Sequence, residues 1–83
     1  MELKFTRYFL EQVRRNHPEA TVENIQEALL NCVKEEYQDK NRRAIWGMIK
    51  EEKKLMRVII ESKGEIHNAF FDRNMTRKLA EGK

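Results

Sequence analysis

Three short apolar segments, separated by turn-forming residues, dominate the second half of this sequence. They span about residues 43–50, 55–61 and 65–71, and they are rich in the β-branched and aromatic residues that favour strands. Four residues (EEKK) separate the first segment from the second, and three (SKG) separate the second from the third. Linkers this short connect neighbouring antiparallel strands, so the segments predict an antiparallel sheet.

Two amphipathic helices are predicted before the sheet. The first covers about residues 6–15, with Thr6 as its N-cap, and ends before Pro18 because the residue preceding a proline avoids the α conformation. Its apolar stripe, at a spacing of four residues, consists of Phe5, Phe9 and Val13. The second helix covers about residues 21–31 with Thr21 as its N-cap, and its apolar side is expected to cover the sheet.

Two further segments complete the predicted fold. Residues 33–38 (VKEEYQ) fit a helix extension or a strand, and their alternating, charged pattern favours a strand at the edge of the sheet. Residues 72–83 are polar and basic and predict a short C-terminal helix or a tail. The sequence therefore predicts one α+β domain over residues 1–83, with two N-terminal helices packed on a three- to four-stranded antiparallel sheet.

Length and composition restrict the class of protein. With 83 residues the chain can bury one small core. No apolar run approaches the roughly 20 residues that cross a bilayer, and the N-terminus lacks the apolar run of a signal peptide. A single cysteine, Cys32, excludes an internal disulfide and fits a reducing compartment. We therefore expect a cytoplasmic protein without a membrane segment.

The charge is distributed unevenly along the chain. Residues 1–41 carry 6 Lys and Arg against 8 Asp and Glu, whereas residues 42–83 carry 11 against 6. The second half is therefore strongly basic. Such an asymmetry is typical of a surface that binds nucleic acid or an acidic partner, and it also fits an ordinary solvated surface.

A three-residue loop at positions 62–64 predicts the register of the last hairpin. On the face toward the helices, it pairs Ile60 with Ile66, Val58 with Asn68, and Met56 with Phe70. On the opposite face it pairs Arg57 with Ala69 and Ile59 with His67, so that Arg57 and His67 become diagonal neighbours. A two-residue loop would instead place Arg57 beside Phe70. The first register separates polar from apolar side chains better and is preferred.

Two residues on that second face carry chemistry. His67 is a candidate general acid or base because the pKa of histidine lies near neutral pH, although a histidine that only hydrogen-bonds a neighbour fits the pattern too. Arg57 stands in the middle of the most apolar strand, where a charge needs a ligand or a partner. The ligand could be a phosphate bound by the planar guanidinium, and the partner could be Glu61 or Glu65.

Four other residues are candidates for contacts with nucleic acid. Arg43 and Arg73 are candidates for phosphate contacts at strand ends. We expect them to lie with Arg57 and His67 on one concave face. Tyr37 and Trp46 fit stacking on RNA bases, or ordinary packing. The sequence has no phosphate-binding glycine loop, no nucleophile elbow and no Cys and His spacing typical of a zinc site. We therefore expect neither a metal nor a cofactor.

Four stretches of the sequence resemble a known group of small proteins. They are FTRYFLEQV, NRRAIWGMI, LMRVII and EIHNAFFDR. With helices first and a basic antiparallel sheet afterwards, the chain resembles the RelE/ParE superfamily of toxins, and more closely the short prokaryotic proteins of unknown function grouped near BrnT. The resemblance covers most of the chain up to Arg73.

The resemblance implies the toxin of a type II toxin–antitoxin pair, acting as a metal-independent endoribonuclease on RNA, either free or on the ribosome. It implies that His67 is the acid or base and that Arg57 and Arg73 hold the scissile phosphate. It further implies that Arg43 or Tyr37 positions the strand. The implied partner is a cognate antitoxin whose acidic segment covers the basic face, and a homodimer is left open.

The alternative is a non-catalytic binding module of the same fold. Such a module would bind nucleic acid, or a protein partner through the sheet edge or the concave face. A weaker third alternative is a structural protein that associates with itself through an exposed apolar edge.

Overall fold

The computed structural model describes residues 2–81, apart from the side chain of Lys40. Helix α1 covers residues 7–16, as a π-helical stretch Phe9–Val13 followed by α-helical Arg14–Asn16. Helix α2 is Val22–Leu30 and helix α3 is Arg73–Glu81. The strands are β1 (Cys32–Gln38), β2 (Arg42–Ile49), β3 (Lys54–Ile60) and β4 (Ile66–Phe71). The prediction of an α+β fold with an antiparallel sheet is confirmed, and the sheet has four strands.

The strands follow one another across the sheet in chain order, β1-β2-β3-β4. The ambiguous segment 33–38 is therefore part of a strand, and β1 stands at the edge of the sheet. The predicted C-terminal segment is helical up to Glu81, and residues 82–83 lie outside the described part of the chain. None of the helices within residues 2–81 is long and apolar enough to cross a membrane.

Both predicted N-caps are confirmed by their hydrogen bonds. The hydroxyl of Thr6 accepts from the amide of Phe9 (3.1 Å), and the hydroxyl of Thr21 accepts from the amide of Asn24 (3.1 Å). Each bond satisfies an amide that the first turn of a helix would otherwise leave without a partner. Local sequence therefore determines where α1 and α2 begin.

The main core is a cluster of buried residues from the first two helices and the strands. Phe9 and Val13 of α1 share it with Ile25 and Ala28 of α2. The strand residues in the same core are Ile45, Ile49, Met56, Val58, Ile60, Ile66 and Ala69. A second, smaller cluster forms on the opposite face, and it consists of Ala44, Trp46 and Ile59 with Met75 of α3 packed against them.

The last hairpin differs from the predicted register because it contains a bulge. The loop has the predicted length, since the amide of Glu61 donates to the carbonyl of Glu65 (2.8 Å) and Ile60 pairs with Ile66. The register then shifts between Ile59 and Ile60. The pairs predicted beyond this point are wrong, and the structure pairs Ile59 with Asn68, Val58 with Ala69, Arg57 with Phe70 and Met56 with Phe71.

The bulge decides which β4 side chains enter the main core. Ile66 and Ala69 are both buried there, so the two residues between them, His67 and Asn68, both lie on the face of the sheet opposite the main core. Regular alternation would have placed Asn68 and Phe70 in this core. An amide buried there would lack water and need a new hydrogen-bond partner. The extra residue keeps Asn68 out and admits the small, apolar Ala69.

Helix α2 lies so close to β2 that position 47 has no room for a side chain. A Cβ placed on Gly47 would overlap the backbone of Ala28. The end of the helix is tied to the same strand, because the side-chain amide of Asn31 donates to the carbonyl of Met48 (3.1 Å) and the carbonyl of Asn31 accepts from the amide of Met48 (3.2 Å). Gly47 therefore sets the distance between α2 and the sheet.

We expect Gly47→Ala to lower the free energy of unfolding by about 2 kcal/mol or more, because α2 must move away from β2 to admit the methyl group. Urea denaturation followed by Trp46 fluorescence measures the change. Gly64→Ala is the matched control, since a Cβ on Gly64 has open space and meets only the strain of a backbone with φ of +91°. That strain costs roughly 1–2 kcal/mol. If Gly47→Ala lowers the free energy of unfolding no more than Gly64→Ala does, the prediction is wrong.

Candidate functional site

The sheet face opposite the main core, here called the groove face, carries three rows of side chains that cross the strands. The first row is polar and consists of Gln38, Arg42, Glu61 and His67. The middle row consists of Glu36, Ala44, Ile59 and Asn68, and the third consists of Lys34, Trp46, Arg57 and Phe70. The rows enclose a depression, called the groove, which is lined by Tyr8, Gln38, Arg42, Arg57, Ile59, His67, Asn68 and Phe70.

His67 is held at one ring nitrogen and open at the other. Its Nδ1 lies 3.4 Å from the hydroxyl of Thr6 and 3.7 Å from Oε1 of Glu61. The ring stacks on that of Tyr8, with centroids 4.8 Å apart and planes inclined by 21°. Its Nε2 has no hydrogen bond or ion pair with any residue of the described chain. The imidazole is therefore oriented, with one nitrogen left for a ligand.

Glu61 links His67 to Arg42. Arg42 donates from Nε to Oε2 of Glu61 (2.7 Å) and from Nη2 to Oε1 (3.4 Å). The hydrogen bond from Arg42 lowers the pKa of Glu61, desolvation opposes it, and the charges of Arg42 and His67 lower it further, so the net pKa lies below the ordinary value. Ionised Glu61 therefore lies beside Nδ1 of His67, and Nε2 is the ring nitrogen without a partner in the described chain.

Arg57 lies between two aromatic rings at the centre of the sheet. It pairs with Trp46 on β2 and Phe70 on β4, and its guanidinium carbon is 5.1 and 5.9 Å from their ring centroids. Within residues 2–81 no hydrogen bond or ion pair holds Arg57, and its Nε is buried without a partner. The sequence suggested that Arg57 pairs with Glu61 or Glu65. Within residues 2–81 it pairs with neither, and Glu61 pairs with Arg42 instead.

Asp72 connects the aromatic row to α3. Its Oδ2 accepts from the indole of Trp46 (2.9 Å), and its Oδ1 caps the helix by accepting from the amide of Met75 (2.9 Å). Burial alone would raise the pKa of Asp72. The hydrogen bonds from Met75 and Trp46, the charge of Arg57 and the amide of Asn74 together outweigh burial, so the pKa lies below its ordinary value. The negative charge that faces Arg57 therefore persists at neutral pH.

Arg73 lies near the predicted site, on the other side of Arg57. It is the exposed first residue of α3 and lines a second depression together with Arg57, Phe70 and Asp72. Arg57 lines both this depression and the groove that contains His67. The three residues predicted to act on a scissile phosphate thus occupy two adjoining depressions that share Arg57.

Arg43 and Tyr37 lie apart from His67, Arg57 and Arg73. The prediction that Arg43 meets these residues on one concave face is therefore wrong. Both line a depression at the end of the sheet, beside the turn at residues 62–64. Arg43 donates to Glu35 on β1 (2.8 Å) and, by strand alternation, shares a face with Ile45 of the main core. Tyr37 has an exposed ring that could stack on a base, away from His67.

Trp46 is buried, in contrast to the base-stacking role predicted for it. Only 3% of its surface is exposed, since Met75 and the neighbouring row of side chains cover it. Its indole N–H is bonded to Asp72. A base stacks only on an exposed ring face, so Trp46 packs the sheet and supports Arg57.

Three residues of the site were missed as functional candidates by sequence reasoning: Glu61, Tyr8 and Phe70. Glu61 follows directly on the most apolar strand, and a charge at that place was a signal for a partner on the same face. Tyr8 is an aromatic residue off the apolar stripe of α1, which indicates a contact outside the main core. Phe70 had no such signal, because its position depends on the bulge.

The described residues contain no group of three or more His, Cys, Asp and Glu side chains that could hold a metal ion. Comparison of the sequence with protein-family models, with curated proteins and with solved structures gives no match. The resemblance to the RelE/ParE superfamily therefore stays a prediction. The function proposed below depends on the geometry of the groove face together with that resemblance.

The lowered pKa of Asp72 predicts how stability depends on pH. A carboxylate with a lowered pKa in the folded state stabilises the fold above its ordinary pKa, and this contribution is lost as pH falls through the folded value. We expect the free energy of unfolding of Asp72→Asn to fall less than that of the wild type between neutral and strongly acidic pH. Asparagine keeps the capping oxygen, so the substitution chiefly removes the charge.

Urea denaturation at several pH values measures this difference. Asp39→Asn is the matched control, because Asp39 is exposed and its carboxylate makes neither of the hydrogen bonds that the carboxylate of Asp72 makes. Asp39→Asn should retain the pH dependence of the wild type. An unchanged pH dependence in Asp72→Asn would contradict the assigned role of the carboxylate.

Proposed function

We propose that this protein is the toxin-like component of a type II toxin–antitoxin system and cleaves RNA on the groove face without a metal. We also propose a RelE/ParE-like fold near the BrnT-related proteins, in which the two N-terminal helices pack on the sheet. The observation that carries the proposal is the shared groove of Arg57 and His67. Arg57 there has a buried Nε without a partner, and His67 has a free Nε2.

Arg57 is suited to bind a phosphate. A buried N–H of a charged group without a hydrogen bond costs roughly 1–3 kcal/mol, so an arginine in this state gains from an incoming anion. The rings of Trp46 and Phe70 hold the guanidinium in place, which reduces the entropy lost on binding. Arg73, at the adjoining depression, adds a second positive charge for the same phosphate or the next one.

His67 is suited to move the proton of the RNA 2′-hydroxyl. Its Nε2 takes this proton, and the 2′-oxygen then attacks the adjacent phosphorus. Arg57 and Arg73 stabilise the extra negative charge of the phosphorane. The bond from phosphorus to the 5′-oxygen breaks, and that oxygen takes a proton from water. The products are a 2′,3′-cyclic phosphate and a 5′-hydroxyl end.

A purified-protein assay tests the proposal with a single-stranded RNA oligonucleotide of mixed sequence in a buffer that contains EDTA. We expect cleavage that leaves 2′,3′-cyclic phosphate ends, and no cleavage of the all-2′-deoxy oligonucleotide. His67→Ala should lower the rate about 10²–10⁴-fold, the range for loss of a general acid or base. Arg57→Ala should lower it about 10²–10³-fold, as for loss of a group that stabilises transition-state charge.

Arg15→Ala is the control for these variants, because Arg15 is an exposed arginine of α1 that does not line the groove. It should retain the wild-type rate. Circular dichroism verifies that each variant is folded. Folded wild-type protein that leaves every RNA intact would contradict the proposed reaction.

Expression in cells provides an independent test. We expect induction of the wild-type chain, in a host without neighbouring genes, to stop growth, because an unrestrained endoribonuclease degrades cellular RNA. Induction of His67→Ala to the same protein level should leave growth normal. Equal growth of cells that express the two proteins would contradict the assignment of a toxin.

The proposed antitoxin is a protein with an acidic segment that covers the groove face. Arg42, Arg57 and Arg73 all lie on this face, so carboxylates of such a segment would occupy the positions of RNA phosphates. An acidic peptide that inhibits the proposed cleavage should therefore compete with RNA for binding.

A second candidate function is a non-catalytic binding module. It is favoured by the contacts of His67, since stacking on Tyr8 and proximity to Thr6 and Glu61 also fit a structural histidine. Such a module would bind RNA or a protein partner through the same face, leave RNA intact, and be tolerated by cells. It would also retain its partner in His67→Ala.

A further inference from the structure

We propose that β1 is the interface of a homodimer, in which the sheets of two copies join edge to edge through antiparallel β1 strands. This inference is independent of the proposed cleavage of RNA. It rests on the open edge of the sheet and on the order of charges along β1.

The β1 edge is open and carries apolar side chains. Within residues 2–81 the strand pairs on one side only, with β2, and its residues from Cys32 to Tyr37 are all exposed. Three large apolar side chains on or beside β1 are at least half exposed: Leu30 (80%), Tyr37 (76%) and Val33 (52%). An edge strand with free backbone donors and acceptors is a template for a further strand.

The opposite edge of the sheet, along β4, is closed by the chain itself. The amide of Ile66 donates to the carbonyl of Lys4 (2.8 Å), and its carbonyl accepts from the amide of Thr6 (3.0 Å). Further along, the amide of Phe71 donates to the carboxylate of Glu19 (3.3 Å). A second copy would therefore pair with β1.

Symmetry restricts how two β1 strands can pair. In an antiparallel pair related by a twofold axis, the same faces of the two sheets lie on the same side. One residue of β1 must then lie opposite its own copy, with the axis midway between the two. An axis at Lys34 places two lysines opposite each other, and an axis at Glu36 places two glutamates opposite each other. An axis at Glu35 also pairs two carboxylates, but each is already neutralised by Arg43 at 2.8 Å.

The axis at Glu35 also produces complementary pairs on both sides. Lys34 of each copy lies opposite Glu36 of the other, so two opposite-charge pairs form across the interface. Within one chain Nζ of Lys34 lies 3.8 Å from Oε2 of Glu36, so the two side chains share one face. The same register brings Tyr37 of each copy toward the Cys32–Lys34 end of the other strand, where the β1–β2 pairing has a register shift, and covers apolar surface that is exposed in the monomer. The occupant that fits the charge order of β1 is therefore a second β1.

Size-exclusion chromatography with light scattering, over a range of concentrations, tests the proposal. We expect the wild type to reach the mass of two chains as concentration rises. Lys34→Glu and Glu36→Lys each turn two attractive pairs into repulsive ones, so each should raise the dimer dissociation constant at least about tenfold. Both residues are exposed, and circular dichroism verifies that the variants are folded.

Mixing the two variants is the decisive measurement. In a heterodimer of Lys34→Glu with Glu36→Lys, both cross-strand pairs again join a glutamate with a lysine. We expect the mixture to dimerise at concentrations at which each variant alone stays monomeric. A wild type that stays monomeric at the highest concentration, or a mixture that stays monomeric, would overturn the proposal.

A cysteine placed on the axis tests the register separately. In a Cys32→Ser background, the thiols of Glu35→Cys face each other and should form an intermolecular disulfide in oxidised glutathione, which is reduced in the exchange. Glu36→Cys in the same background lies opposite Lys34 and should cross-link far more slowly. Equal cross-linking at the two positions would overturn the register at Glu35.

Discussion

The bulge in β4 is the feature on which the groove face depends. It places two consecutive side chains, His67 and Asn68, on the same face, and it brings Phe70 opposite Arg57. The cause lies on the other face of the sheet, where Ile66 and Ala69 are both buried in the main core. Close packing leaves no space for a larger or polar residue there, so the strand absorbs an extra residue instead.

Arg57 shows how a charge is tolerated at the centre of a small sheet. Desolvation of a guanidinium is costly, and the structure offsets it with two aromatic neighbours and the nearby carboxylate of Asp72. Asp72 also bonds Trp46 and caps α3. The position of α3 and the electrostatics of the site are therefore coupled, although α3 contributes one residue, Arg73, to the proposed phosphate contacts.

The two edges of the sheet differ because the chain enters and leaves it on different sides. The segment before α1 runs along β4 and satisfies both backbone groups of Ile66, while β1 follows directly after α2 and has no further strand beside it in the described part of the chain. The groove is lined mainly by residues of β3 and β4, and β1 contributes Gln38 to it. Association through β1 is therefore compatible with a ligand on the groove face.

The sequence by itself determined the local elements of this protein. Apolar alternation, short turns and threonine caps are properties of a few adjacent residues, and they specified the strands, the sheet edge and both helix starts. Tertiary structure decided the bulge, the burial of Trp46 and the partners of Arg57 and Glu61. Each of these depends on packing between segments distant in the chain, and the local sequence does not specify which residues those segments bring together.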